Sequence, residues 1–314
     1  DEDEEEDDDD DSKEAVLDAK GCAHPGGVNR IRAMPQAGHI VATWADTGKV
    51  HMWNLAAQRK ALDKPEKFSA NPKPIHTCDD HTEEGYALDF SPHETGKFLS
   101  GGNDGKTFLW EPVAGGWNVA SQNAFCGHKA SVEDVQWKRH GEGNTLFATC
   151  SADRSWRVWD TREKDRKKSS IHVAKAHESD VNVLSWSPCV GELIATGSDD
   201  GSFKVWDIRS TDSGAMANFQ WHRKPVTSID WHPTDETVLA AASEDNCVSL
   251  WDMAVEDDAA GGEAFPGAEH FPPQLLFVHQ GLTDPKELRW HPQLNGVCIT
   301  TAGSGFNIFK TCNI

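Results

Sequence analysis

Three residue types in and near the stretch ATGSDDGSFKVWD, residues 195–207, have the composition of a hydrolytic centre. Thr196 offers a hydroxyl, Asp200 a carboxylate and His177 a base, which are the groups that a hydrolase triad uses to attack a carbonyl carbon. An enzyme needs one such set, whereas these residue types recur along the chain. The recurrence indicates a structural role, and we expect no enzymatic activity.

The repeated set consists of a histidine, an aspartate and a tryptophan. Its copies are His81, Asp104 and Trp110; His128, Asp153 and Trp159; His177, Asp200 and Trp206; and His222, Asp245 and Trp251. From Trp53 onward, successive tryptophan anchors are 57, 49, 47 and 45 residues apart, and a degenerate sixth copy ends at Lys310. This period predicts a chain of small units with several small cores.

Each unit has the pattern of short β-strands. Apolar Phe203 and Val205 alternate with polar Ser202 and Lys204, a period of two that is typical of a pleated strand. Links such as Asn103-Asp104-Gly105 favour tight hairpins. Corners such as LDFSP at 88–92 place a proline where the preceding strand should end.

The histidine and Trp-Asp signature at this spacing resembles the WD40 family of β-propellers, from about residue 21 to the C-terminus. The resemblance implies an all-β fold, a WD40 β-propeller that is seven-bladed in the family, with six units recognisable here. It also implies that the repeated histidines, aspartates and tryptophans join a serine or threonine in a buried hydrogen-bond chain.

Asp1 in place of Met predicts an N-terminally truncated chain. Residues 14–20 fit an outer strand whose inner partners lie upstream, and the alternative is a closed six-bladed ring in which they complete the last blade. We therefore expect a disordered acidic tail over residues 1–13 and a propeller over residues 14–314.

The charge of the chain favours a basic partner. The net charge is -21, and residues 1–11 are all acidic, which leaves about -10 on the remainder. Such a field repels nucleic acid and attracts basic proteins. No apolar run is long enough to cross a bilayer, so we expect a soluble intracellular protein without membrane contact. The cysteines are spaced singly, which predicts reduced, mostly buried side chains and no metal or cofactor.

An insert between Trp251 and His279 combines acidic and apolar residues. The predicted partner-binding residues are Glu256, Asp257, Asp258, Glu263, Leu275 and Leu276. Acid beside apolar surface suits a basic amphipathic helix, and a solvated surface loop is the alternative. The insert resembles a loop of the histone-binding WD40 subunits of chromatin-assembly complexes.

Several segments outside the generic repeat resemble the family of glutamate-rich WD-repeat proteins. They include the acidic lead-in, GYALDFSP at 85–92, PVTSIDWHP at 225–233 and PQLLFVHQG at 273–281. This resemblance implies a ribosome-assembly chaperone that escorts a newly made, basic large-subunit ribosomal protein to the nucleolus and also binds histones. We accordingly expect a monomeric protein of the nucleus and nucleolus.

A different function remains open. Arg162 and Arg209 each follow a Trp-Asp pair in a W-D-x-R pattern. The pattern resembles that of WD40 substrate receptors of cullin-type ubiquitin ligases, although Trp-Asp is also the general signature of the repeat.

Overall fold

The computed structural model describes residues 18–63, 71–120, 123–141, 145–256 and 271–311, and these residues form six antiparallel sheets. We call the sheets blades 1 to 6 in chain order. Blade 1 contains β1 (Val28–Met34), β2 (Ala37–Ala45), β3 (Val50–Asn54) and β4 (His76–Cys78). Blade 2 contains β5 (Ala87–Phe90), β6 (Phe98–Gly101), β7 (Lys106–Val113), β8 (Gly116–Val119) and β9 (Phe125–Cys126).

The remaining blades repeat the four-stranded order until the last. Blade 3 contains β10 (Val132–Trp137), β11 (Leu146–Ser151), β12 (Trp156–Asp160) and β13 (Ile171–Val173). Blade 4 contains β14 (Val181–Trp186), β15 (Leu193–Ser198), β16 (Ser202–Asp207) and β17 (Ala217–Gln220). Blade 5 contains β18 (Val226–Trp231), β19 (Val238–Ser243), β20 (Cys247–Asp252) and β21 (Leu275–His279). Blade 6 contains β22 (Pro285–Trp290), β23 (Val297–Ala302) and β24 (Gly305–Lys310).

The first strand of each blade lies beside the first strand of the next, which gives a six-bladed β-propeller arrangement. The predicted all-β propeller fold is confirmed. A short helix, α1 (Ala56–Leu62), follows β3 and lies outside the sheets. Residues 14–17 lie outside the described ranges, as does the predicted tail over residues 1–13, and residues 18–20 form no strand.

The strands end at the proline corners and tight turns that the sequence predicts. β5, β14, β18 and β22 each end two residues or fewer before a proline corner. Gly105 and Gly201 have φ angles of 73° and 79°, as tight hairpins require. The matching turns of blades 3 and 5 hold Arg154 and Asn246 at 68° and 71°, so these two turns adopt the same left-handed backbone without glycine.

The apolar cores lie between blades. Each of five buried clusters draws its side chains from two consecutive blades, so one faces each interface from blades 1 and 2 to blades 5 and 6. Trp110, Trp159 and Trp251 of the repeat are almost completely buried in them. Cysteines pack less uniformly than predicted: Cys78, Cys150 and Cys298 are buried, whereas Cys22 is exposed and the other described cysteines are half-buried.

Polar side chains on the inner strands connect each blade to the next. Asp89 of β5 accepts a hydrogen bond from the backbone N–H of Trp137 in β10, at 2.9 Å. Asp230 of β18 does the same for Trp290 of β22, at 3.0 Å. The inner strands are sheet edges, and these bonds satisfy donors that have no partner strand.

A half-buried ion cluster joins blade 6 to blade 1. Arg32 of β1 contacts Glu287 of β22 at 2.6 Å, and Arg289 bridges Glu287 and Asp230 at 3.1 and 3.2 Å. Although burial alone raises the pKa of Glu287, the charges of Arg32, Arg289 and Arg30 lower it to about 2. The carboxylate therefore stays ionised and holds the two ends of the described ring together.

We predict that Glu287→Gln lowers the free energy of unfolding by about 2 kcal/mol near neutral pH, because half-buried Arg32 and Arg289 lose a charged hydrogen-bond acceptor. The folded pKa lies below the ordinary carboxyl value of 4.5, so this stabilisation is present above pH 4.5 and is lost as pH falls toward 2. Urea unfolding of both proteins across this range measures the effect. Glu94→Gln, which breaks an exposed pair with Lys97, is the control and should cost less than about 1 kcal/mol. Equal losses in the two variants would contradict the proposed role of the cluster.

Candidate functional site

In five blades a hydroxyl is shared by a tryptophan and a histidine. In blade 4, Trp206 Nε1 donates to Thr196 Oγ1 at 2.8 Å, and His177 Nε2 lies 2.8 Å from the same oxygen. The other blades repeat these contacts at 2.7 or 2.8 Å: Trp53 and His24 at Thr43, Trp110 and His81 at Ser100, Trp159 and His128 at Thr149, and Trp251 and His222 at Ser249. In blades 1 to 4 the hydroxyl thus connects two strands to the turn that carries the histidine.

The second histidine nitrogen faces the aspartate that the sequence pairs with it. The distances from Nδ1 to the carboxylate are 3.0 Å for His222 and Asp245, 3.1 Å for His128 and Asp153, and 3.6 Å for His81 and Asp104. Blade 4 departs from the expected direct contact. Ser202 Oγ lies 2.8 Å from His177 Nδ1, whereas Asp200 is 3.8 Å away and accepts from the Ser202 N–H. A serine hydroxyl therefore lies between the histidine and the aspartate.

Blade 5 builds the same contact from a different strand. Elsewhere the hydroxyl stands ten residues before the tryptophan, but in blade 5 that position is Ala241. Ser249, two residues before Trp251 on β20, supplies the oxygen instead. The ten-residue spacing does not reveal this substitution, because Ser249 lies on β20 and not on β19, the strand that carries Ala241.

Blade 6 lacks the hydrogen-bond chain within the part of the chain that the structure describes. Phe309 replaces the tryptophan and has no N–H to donate. His279 stacks on the Phe309 ring, with centroids 4.1 Å apart and planes at 12°. The buried Thr300 hydroxyl, which occupies the position of Thr196, has no hydrogen-bond partner among the described residues. Ring stacking replaces polar pairing in the last blade.

This geometry does not suit a nucleophile. Thr149 and Thr196 are fully buried, and their oxygens already accept from an indole. A catalytic hydroxyl must reach its substrate carbonyl and hand its proton to a base. The repeated set instead satisfies polar groups that the fold has buried.

Burial controls the charge of two of these histidines, His177 and His128. Burial and the nearby Lys204 lower the pKa of His177 from 6.5 to about 4, and Asp200 opposes them only in part. Burial also lowers the pKa of His128. Both rings are therefore neutral near pH 7, so that each accepts through one nitrogen and donates through the other.

We predict that the free energy of unfolding falls as pH is lowered from 6.5 to about 4, because the unfolded chain binds a proton that the buried His177 ring refuses. A shift of this size corresponds to about 3 kcal/mol. His177→Gln should flatten the pH dependence over this range, measured by urea unfolding. The control, His140→Gln, replaces an exposed ring. An identical slope for the wild type and His177→Gln would show that His177 is not the titrating group.

The two W-D-x-R arginines lie on the surface in matching conformations. Arg162 donates two parallel hydrogen bonds to the Asp160 carboxylate, from Nε at 3.0 Å and from Nη2 at 2.6 Å. Arg209 donates the same pair to Asp207 at 2.9 and 2.6 Å. Their side chains are 74% and 70% exposed. The hydrogen bonds from these arginines lower the pKa of both aspartates. Blades 3 and 4 thus present two equivalent guanidinium groups to solvent.

The predicted acidic loop is described only at its ends. Glu256 is exposed, and Asp257, Asp258 and Glu263 lie outside the described residues. On β21, Leu275 packs against the core between blades 4 and 5, whereas Leu276 is exposed. Of this pair, Leu276 is therefore the more accessible to a partner.

Two features escaped prediction from the sequence. The Arg32–Glu287 cluster combines residues that occupy polar positions on two distant strands, and an apolar groove between blades 4 and 5 combines Met216 with Met253. The repeat period marks neither feature, although the strand register shows that Arg32 on β1 and Arg289 on β22 occupy equivalent positions in their blades. Among the described residues, no three His, Cys, Asp or Glu side chains are grouped to hold a metal ion. The helices in that part of the chain are too short or too polar to cross a membrane.

Comparison with known proteins identifies two matching domain families and several close relatives. The model of the nucleolar protein 10-like N-terminal domain matches residues 128–269, and that of the WD domain, G-beta repeat, matches residues 72–111. The chain is 42% identical to Protein HEAT STRESS TOLERANT DWD 1 of Arabidopsis thaliana over 96% of its length. It is 39% identical to Ribosome assembly protein rrb1 of Schizosaccharomyces pombe over 95%, and 46% identical to Glutamate-rich WD repeat-containing protein 1 of Dictyostelium discoideum over 92%. The matched region covers 67%, 64% and 60% of these relatives, respectively.

Proposed function

This chain belongs to the family of glutamate-rich WD-repeat proteins, and from that membership we propose that it is a non-enzymatic carrier of a basic client protein in ribosome biogenesis. The observation that carries the proposal is the 39% identity to a ribosome assembly protein over 95% of the chain. The buried hydroxyls of the repeat support a scaffold, because they are engaged within the blades.

The charge distribution supports a cationic client. Residues 1–11 contribute eleven acids, and carboxylates of blades 3 and 4 are near enough to one another to shift each other's pKa. Burial and the neighbouring Asp199 raise the pKa of Asp180. Burial raises the pKa of Glu133 as well, and Asp180 and Asp199 add to it. Carboxylates whose negative charges repel one another are stabilised when a cation approaches, because the cation offsets that repulsion.

The finer assignment follows the family resemblance. We propose that the client is a newly made large-subunit ribosomal protein and that histones are a second class of client. Both carry dense positive charge that is destined for nucleic acid, and an acidic carrier can occupy it until delivery. The protein would act in the nucleus and nucleolus, where ribosomal subunits are assembled.

We predict that deleting residues 1–11 and replacing Glu256, Asp257, Asp258 and Glu263 by their amides weakens binding to a purified large-subunit ribosomal protein about tenfold, which corresponds to about 1.4 kcal/mol. Added salt should lower the affinity of the wild type for the ribosomal protein and reduce the affinity difference between the wild type and the variant, since salt screens exposed charges. Fluorescence anisotropy measures the affinity, and thermal unfolding checks that the propeller is intact.

A matched control also lacks residues 1–11 but neutralises four other acids outside the insert: Glu94, Glu111, Glu163 and Asp212. Its affinity should fall less than that of the test variant. Unchanged affinity in the test variant would refute the acidic-surface mechanism, and equal binding of a neutral protein by the wild type would refute the basic client.

The exposed, matching arginines favour a second candidate, a substrate receptor of a cullin-type ubiquitin ligase. Arg162 and Arg209 project from neighbouring blades with the same geometry, so one adaptor surface could contact both. Their pairing with Asp160 and Asp207 holds each guanidinium in place before binding.

For this candidate we predict that Arg162→Ala combined with Arg209→Ala abolishes co-purification with a cullin ligase adaptor while ribosomal-protein binding persists. Affinity purification of the full chain followed by immunoblotting for the adaptor measures the change. Arg223→Ala, on another turn, is the control. Adaptor binding that survives the double substitution would exclude these arginines as the contact.

A further inference from the structure

An apolar groove lies between the outer strand of blade 4 and blade 5. Its volume is about 380 Å³, and its lining includes Met216 and Phe219 from blade 4 with Trp231 and Met253 from blade 5. Trp231 is almost fully buried and forms part of the floor, whereas Met216 is 64% exposed. No other large apolar side chain in the described ranges is as exposed as Met216.

The apolar surface continues along β17. A second cavity shares Phe219 and Gln274 with the first and reaches Trp221 and Pro272. Trp221 contacts the half-exposed Phe271 ring, with centroids 5.6 Å apart. A continuous strip of methionine and aromatic side chains of this kind is typical of a protein-binding surface.

Acidic residues border the groove. Glu236 is the one charged side chain among the described residues that line it. Asp235 precedes Glu236 in the chain. Burial raises the pKa of the nearby Cys189 thiol, and the negative charges of Glu236 and Asp235 raise it further. The blade 5 side of the groove border is therefore negative.

The acidic insert starts at the same place. Asp252 N donates to the carbonyl of Gln274 at 2.9 Å, and Gln274 Nε2 donates to the carbonyl of Val255 at 2.9 Å. These bonds bring the two sides of the insert together next to the groove, because Gln274 also lines it. Exposed Glu256 follows Val255 directly, which places a further carboxylate near the border.

We propose that this groove docks a segment of the client in which a bulky apolar side chain lies between lysines or arginines. The apolar side chain would contact Met216 and Phe219, and the flanking cations would face Glu236 and Glu256. Charge complementarity selects this occupant, because a neutral or acidic segment with the same apolar residue would meet an unfavourable border. The inference rests on the proposed basic client and specifies where that client is gripped.

The test uses the purified full chain and a short synthetic peptide in which leucines one helical turn apart are flanked by lysines. A second peptide has serine in place of leucine. We expect the leucine peptide to bind at least about tenfold more tightly, and Met216→Ser to remove most of this difference. Leu294→Ser, which changes a similarly exposed side chain on blade 6, is the control and should have no effect.

A charge reversal tests the border separately. Glu236→Lys should weaken binding of the leucine peptide severalfold at low salt and less at high salt, and Glu94→Lys, far from the groove, should change it little. Equal binding of the two peptides by the wild type, or equal effects of Met216→Ser and Leu294→Ser, would refute the groove as the docking site. These results do not depend on ribosomal-protein binding, so the groove can fail while the proposed function stands, and the reverse also holds.

Discussion

The hydroxyl shared between an indole and an imidazole is the interaction on which five of the six described blades depend. In blade 4, Thr196 on β15 connects Trp206 on β16 to His177 in the turn before β14. Without that oxygen, two buried polar groups would lose their partner, at about 1 to 3 kcal/mol each. Because five blades repeat the contact, the ring is a stiff support, and the surfaces that differ between blades are free to bind partners.

The repeat made the propeller predictable because its signals are local. A tryptophan anchor, a tight turn and a proline corner each act within a few residues, so Trp206, Gly201 and the corner after Trp186 could be placed from the sequence. The aspartate pairing was less accessible, since it depends on side-chain packing. Ser202 stands between His177 and Asp200 in one blade, and Ser249 replaces a hydroxyl lost from the neighbouring strand in another.

The candidate binding surfaces were harder to predict for a different reason. The groove combines Met216 from one blade with Trp231 and Met253 from the next, and no periodic pattern marks such a set. The sequence did single out the acidic insert, whose base lies beside that groove through Gln274. Apolar contacts and carboxylates then act together: long-range charge brings a basic segment to the surface, and the apolar strip determines how long it stays.

The contact between Arg32 and Glu287 also has a consequence for how the chain folds. It joins residues 255 positions apart, whereas the strands within one blade are joined by much shorter connections. Closing so long a loop costs more chain entropy than pairing neighbouring strands, so the individual sheets can form before blades 1 and 6 meet. We expect the contact between blades 1 and 6 to form late in folding and to be among the first to break under stress.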